Sequence, residues 1–139
     1  MVSCAGREVA LVDSVSYLSS VDTDGYVVSA SHGGVSAAEH AMQFHPTMVA
    51  FNDAGGGKED AGFRALDMLD TEGIAAVCVA HTSARIGDAE DHWNNGVVSR
   101  TNSGAEGAGI RAGMKLKAAV YAAITGSQNT LTTSHFETF

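Results

Sequence analysis

Four stretches of the chain are nearly continuous in small and branched apolar residues, and each breaks into polar chemistry at its C-terminal end. "EVALVDS" (8–14) runs into Asp13 and Ser14, and "YVVSASHGG" (26–34) into Ser31, His32, Gly33 and Gly34. "TMVAFNDAGGG" (47–57) runs into Asn52, Asp53 and the triple glycine Gly55, Gly56, Gly57. "IAAVCVAHTS" (74–83) runs into His81, Thr82 and Ser83. Short unbroken runs of this kind predict strands buried on both faces, the habit of a parallel sheet.

The intervals carry the other periodicity. In "VSAAEHAMQFH", Val35, Ala38, Ala41 and Met42 fall on one helical stripe, and Pro46 stops it because proline disfavours helical geometry at His45. In "KEDAGFRALDMLDTEG", Ala61, Ala65, Leu66 and Leu69 make a second stripe. Glu59 and Asp60 suit the first turn of that helix and Gly73 its C-terminal cap. Strand, helix, strand, helix, strand is a pair of βαβ units with right-handed crossovers.

Between the first two runs only "VSYLSSVDTDG" intervenes, too short for a crossover helix; a hairpin and a parallel pair joined by an irregular turn both fit. After Ser83 the pattern blurs. A helix starts near Asp88, another is read over 97–106, and the alternating "MKLKAAVYAAI" reads as a last strand. The expected fold is therefore a single-domain, three-layer α/β structure over residues 1–125, Rossmann-like or flavodoxin-like, with a mostly parallel sheet and helices on both faces. A polar C-terminal tail, residues 126–139, is read as mobile or used between subunits.

Composition narrows the setting. With 139 residues and 45% apolar content, one core is enough. The net charge of -8, with eight Lys plus Arg, argues against nucleic-acid or anionic-membrane partners. No apolar run reaches the ~20 residues that span a bilayer, and no signal peptide is visible in "MVSCAGREVALVDS". Two cysteines, Cys4 and Cys78, make no disulfide framework, so the cytoplasm is the expected compartment.

In an open α/β sheet, ligands bind beyond the carboxyl ends of the strands. This places the candidate chemistry on one rim. His32 and His81 are candidates for the acid or base near neutral pH, with Asp13 or Asp53 orienting the ring. Ser31, Ser14 or Ser83 is a nucleophile if a histidine stands beside it; Ser31 with His81, or His32 with Ser83, is the workable pairing. The amides of Gly33, Gly34 and Gly55–Gly57 are candidate oxyanion donors. Asn52, Lys58 and Arg85 join them as substrate-binding groups for a small anionic molecule. The competing structural readings are that the glycines only permit tight packing, that Asp53 caps its own turn and Asp13 ends a strand, and that the histidines hydrogen-bond backbone. His40 and His45 are read as surface or packing residues, and His92 and His135 receive no role.

Several motifs are absent: Lys58 is not followed by Ser or Thr as a Walker A loop requires, the dinucleotide glycine spacing is missing, and there is no G-x-S-x-G elbow. No cofactor is expected, with Mg²⁺ on Asp13, Asn52, Asp53 and His81 as the minor alternative; structural zinc lacks its ligand pattern. Asp13, Asp53, a hydroxyl near position 83 and Lys115 or Lys117 are placed in a way that resembles the phosphorylation site of response-regulator receiver domains. The short first connection, the triple glycine, His32 and the missing proline after Asp53 depart from that pattern, so only shared sheet geometry is inferred.

The functional expectation is a small cytosolic enzyme doing acid–base or nucleophilic chemistry, hydrolysis of an amide or ester first. The alternatives are a non-catalytic anion-binding or regulatory subunit of a larger complex, and an isomerase or lyase using histidine for proton transfer. A homo-oligomer is expected, with a second subunit as a further way of completing a shallow site.

Overall fold

In a computed structural model the chain is an α/β structure built on one six-stranded sheet, with residues 1–56 and 64–136 described and side chains described to 126. The strands are β1 (Val2–Cys4), β2 (Arg7–Val12), β3 (Tyr26–His32), β4 (Met48–Asn52), β5 (Ala75–Val79) and β6 (Val98–Thr101). The helices are α1 (Val35–Phe44), α2 (Arg64–Thr71), α3 (Ala89–Asn95), α4 (Ser103–Gly107) and α5 (Leu116–Phe136).

The four strands expected from the apolar runs are β2 to β5, and they pair in parallel in chain order. The question left open for the first two is settled as parallel. Two short 3-10 turns, Val15–Tyr17 and Ser20–Asp22, carry the connection without an α-helix.

Three corrections follow. First, the sheet is mixed rather than mostly parallel: β1 joins β2 and β6 joins β5 antiparallel, one at each edge. The β1–β2 hairpin closes on Ala5 and Gly6, both with positive φ (49° and 81°), which matches the twist of a two-residue hairpin turn. Second, the order β1-β2-β3-β4-β5-β6 never reverses, whereas Rossmann and flavodoxin orders do. Third, "MKLKAAVYAAI" is helix from Leu116 onward rather than strand, with Lys115 alone bridging Val97, and the 97–106 helix is strand β6 followed by α4, while α5 continues past position 126. Leu116, Ala119, Val120, Ala123 and Ile124 are its buried stripe, at helical spacing.

Alternation along the strands feeds two cores. Val9, Tyr26, Val28, Met48, Ala50, Val77 and Val79 face one cluster, which takes in Trp93 of α3, Ala105 of α4 and the α5 stripe. Their neighbours Ala10, Val27, Val49, Phe51, Ala76 and Cys78 face the other, with Ala37, Ala38 and Ala41 of α1 and Ala65, Leu66 and Leu69 of α2. Successive side chains of a strand point to opposite faces, so one apolar run supplies both cores. One stripe assignment shifts: Val35 is 36% exposed and Ala37 is buried in its place; Ala61 lies outside the described residues.

The helix stops behave as expected. Gly73, at φ 73°, lets the Ile74 amide reach back to the Leu69 carbonyl after α2. His45 leaves α1 in the left-handed region before Pro46, donating its amide to Ala41.

Candidate functional site

The parallel strands all end on one rim, which brings their C-terminal residues together. Four loops meet there: that after β2 (Asp13, Ser14), after β3 (Gly33, Gly34), after β4 (Asp53 to Gly56) and after β5 (Ala80 to Asp88).

The strongest polar feature joins the last two. Oδ1 of Asp53 accepts from the Gly55 amide at 2.8 Å, the His81 amide at 3.0 Å and His81 Nδ1 at 3.1 Å. The carboxylate is nearly buried, at 8% of its side-chain surface, whereas the His81 ring is 53% exposed. Burial pushes the Asp53 carboxyl up. Hydrogen bonds from the Ser99 hydroxyl, the Gly55 and His81 amides and the His81 ring outweigh it and hold the group below its ordinary value. Ser99 also stands 3.2 Å from the Cys78 carbonyl, and its single proton serves one oxygen at a time.

Local geometry explains the fit of the ring. Ala54 and Gly55 both take positive φ, 49° and 77°. The Ala54 amide donates to Asn52 Oδ1 at 2.7 Å, so two consecutive side chains fold the turn back on itself. The imidazole lies against Gly55, where an added β-carbon would stand in ordinary contact with His81 Cε1 at 3.4 Å; it is the positive φ of the turn that favours glycine there.

Other expected site residues have structural partners. Ser31 Oγ accepts from the Val15 amide, and Ser83 Oγ donates to the Ala80 carbonyl and accepts from the Val97 amide. Neither hydroxyl bonds a histidine among the described residues, so neither expected serine–histidine pair is formed. Ser14 accepts from the Ser16 amide. Asp13 Oδ1 accepts from the Ala89 amide at the start of α3. His32 is exposed at the end of β3, outside the Asp53–His81 pair. The amides of Gly33 and Gly34 donate to the Asn52 and His32 carbonyls, which leaves them, with Gly55, spent as oxyanion donors. Gly56 closes the short turn Ala54–Gly56, and Gly57 and Lys58 lie outside the described residues.

A cleft of about 290 Å³ beside the pair is lined by His81, Thr82, Ser83, Ala84, Arg85 and Asp91. Asp91 accepts from the Arg85 amide and its carboxyl is influenced by the Arg85 charge, so cation and anion share the cleft. Two larger hollows sit elsewhere, at the opposite ends of the strands, around Arg7, Asp22 and Tyr26 and around Thr47, Ala75 and Gly104. They carry no comparable proton-transfer group, and the smaller cleft is the better candidate on chemical grounds.

Among the described residues no three His, Cys, Asp or Glu side chains are grouped to hold a metal ion. Lys115 and Lys117 stand at the start of α5, with the Lys117 ammonium 5.8 Å from the Trp93 ring centre, and not after a fifth parallel strand as the receiver-domain pattern requires. No helix of the described residues is long and apolar enough to cross a membrane.

Sequence reasoning missed His92. It is fully buried, with Nε2 3.1 Å from Asn52 Nδ2 and Nδ1 2.7 Å from the Asp88 carbonyl. Asn52 is also buried, and its Nδ2 donates to the Ala84 carbonyl at 3.1 Å. A helix start near Asp88 was visible; which face of it carried His92 inward was not.

Comparison with protein-family models, curated proteins and solved structures finds no match.

Proposed function

We propose that the chain is a small enzyme in which His81 transfers protons and Asp53 orients it, acting on a small substrate with an anionic group. The observation that carries this reading is the 3.1 Å bond from His81 Nδ1 to a nearly buried carboxylate, with the ring half exposed. That bond assigns the proton to Nδ1 and leaves Nε2 as the base on the solvent side.

Hydrolysis of an amide or ester follows directly. Nε2 takes a proton from water as the water oxygen attacks the carbonyl carbon. The imidazolium so formed is stabilised by Asp53, and it returns the proton to the leaving nitrogen or oxygen as the old bond breaks. Water is favoured over serine as nucleophile because Ser31 and Ser83 are committed to backbone groups. The same residue supports an isomerase or lyase, but an open cleft admits water and offers little protection to a carbanion. Arg85, which lines the cleft, is the cation to meet the substrate's anionic group.

A second reading has its own support. The Ser31 and Ser83 hydroxyls are committed to backbone groups while Arg85 lines the cleft, which suits a non-catalytic anion-binding or regulatory subunit. In either case we take the fold as three-layered, a reading supported by two cores drawn from alternate strand positions. We place it in the cytoplasm, in keeping with two cysteines outside any disulfide. We infer a homo-oligomer, with exposed Tyr17, Val21 and Tyr121 as contact surface.

The test is turnover of a panel of nitrophenyl esters and amides of small dicarboxylic acids, followed from pH 5 to 9. In the enzyme reading His81→Ala lowers kcat about 10²–10⁴-fold. Equal rates in wild type and His81→Ala refute it. Binding of the acids that is lost in Arg85→Ala, with no turnover of any of them, favours the binding subunit.

A further inference from the structure

The buried contact between His92 and Asn52 has a forced proton arrangement. Asn52 Oδ1 is identified by the Ala54 amide that donates to it, so the group facing the Ala84 carbonyl and His92 Nε2 is the NH₂. An NH₂ needs acceptors on both sides. His92 Nε2 therefore carries a lone pair, and its proton sits on Nδ1, donated to the Asp88 carbonyl. Every member is satisfied in one arrangement only, and that arrangement requires a neutral ring.

We propose that His92 and Asn52 form a proton-sensitive clasp that holds the loop after β4 to the loop after β5 and to α3, and that protonation of His92 Nε2 opens it. The added proton sets an N–H against the Asn52 NH₂ in a site with 0% exposure of either residue. Donor faces donor, and no water-exposed path relieves the clash. Asn52 must then turn, and turning it gives up the Ala84 carbonyl and the Ala54 amide together. The first holds the 80–85 loop that carries His81 and Arg85, and the second holds the turn that positions Asp53. The clasp regulates the candidate site, but its existence does not depend on that site being catalytic.

The electrostatic surroundings are mixed. Burial lowers the His92 value below the ordinary 6.5 and is the largest influence; the Asp88 carbonyl, then Asp91 and Asp88, act the other way. Asp13, from the end of β2, meets the start of α3 through the Ala89 amide. His32 ends β3, Asp53 follows Asn52 on β4, and Lys117 of α5 lies over Trp93. The folded state disfavours the charged ring, so the closed form is fully present above about 6.5 and opens as pH falls through the folded value.

The experiment is a pH titration of the intact ¹⁵N-labelled chain by NMR, reading the His92 ring nitrogens, the Asn52 side-chain NH₂ and the amides of Ala54 and Gly55, with hydrogen exchange corrected for intrinsic rates. The expected result is the Nδ1–H tautomer at neutral pH and a single titration below 6.5 shared by all of these signals. Opening at Ala54 rises about tenfold per pH unit within the window, while strand amides such as Val49 stay protected. His92→Gln abolishes that step. Asn52→Asp reverses it, moving His92 above 6.5 because a carboxylate accepts from the protonated ring. An Nε2–H tautomer at neutral pH overturns the proposal. So does a His92 titration that leaves Asn52 and Ala54 unmoved. Should either variant fail to fold, the wild-type titration decides alone.

Discussion

Replacing Asp53 separates the worth of its hydrogen bonds from the worth of its charge. One oxygen, Oδ1, accepts from the Gly55 amide, the His81 amide and the His81 ring. Asp53→Ala removes all three acceptances and the bond from the Ser99 hydroxyl, which is left out of the sum because that hydroxyl can turn to the Cys78 carbonyl. The ring is half exposed and turns to water at little cost, so it is left out of the sum. Each of the two backbone amides, partly buried, loses about 1–2 kcal/mol, which puts the loss at about 2–4 kcal/mol. Asp53→Asn keeps an oxygen in place for both amides. It exchanges charge-assisted bonds for neutral ones, a loss of about 1–2 kcal/mol in total. Native stability is typically about 5–15 kcal/mol, so both are measurable. The sign with pH is fixed by the lowered carboxyl value. Stability from the charged form is fully present above the ordinary 3.8 and is lost as pH falls through the folded value. The gap between wild type and Asp53→Asn should therefore be widest near neutrality and narrow below 3.8. Urea unfolding at pH 7 and pH 3, with unchanged m-values, measures both effects. If Asp53→Ala and Asp53→Asn unfold together at pH 7, the carboxylate does not organise the two loops.

Two further predictions concern groups outside the cleft. Asn102 is buried and makes four bonds: Oδ1 accepts from the Ala76 and Ala105 amides, and Nδ2 donates to the Leu66 and Ile74 carbonyls. Asn102→Ala orphans all four and removes the cap of α4, a loss of about 3–5 kcal/mol by urea unfolding; a change under 1 kcal/mol refutes the assignment. Burial pushes the Cys78 thiol up to about 12, with Asp53 adding to the rise. At pH 8 the folded chain should titrate one thiol with a disulfide reagent, Cys4, and release the second only in denaturant; two equal rates would contradict the burial.

The parts of this fold that could be read from the chain are those whose signal is local. β3 to β5 are buried on both faces over most of their length and β2 at its centre, so each carries a short, largely apolar word. β1 and β6 escaped because "VSC" and "VSRT" are short edge strands whose pairing is set by neighbours. The hairpin before β2 turns on Ala5-Gly6, a weaker signal than Asn-Gly. α5 was hidden by the alternation of Met114, Lys115, Leu116 and Lys117, although the stripe from Leu116 to Ile124 is helical. In the site, Asp53 and His81 were found because both follow strands. His92 and Asn102 were not, because a buried polar side chain is defined by partners 26–40 residues away. The glycines of the 55–57 run suggest a ligand cradle; for Gly55 the nearer cause is a turn with positive φ.

The unreversed strand order changes what must shape the rim. In doubly wound sheets the reversal opens a crevice, and the fold itself supplies the pocket. Here successive strands step in one direction, so adjacent loops would splay unless something tied them. The ties are the side chains that looked catalytic: Ser31 holds Val15, Asp13 holds Ala89, Asn52 holds Ala84 and His92, and Asp53 holds His81. Their spending on structure removes most of the candidate chemistry and concentrates the remainder on the exposed face of one ring. It also explains why a proton on His92 would matter to a site it does not touch. When the shape of a pocket rests on side-chain bonds rather than on topology, the state of those bonds becomes the state of the pocket.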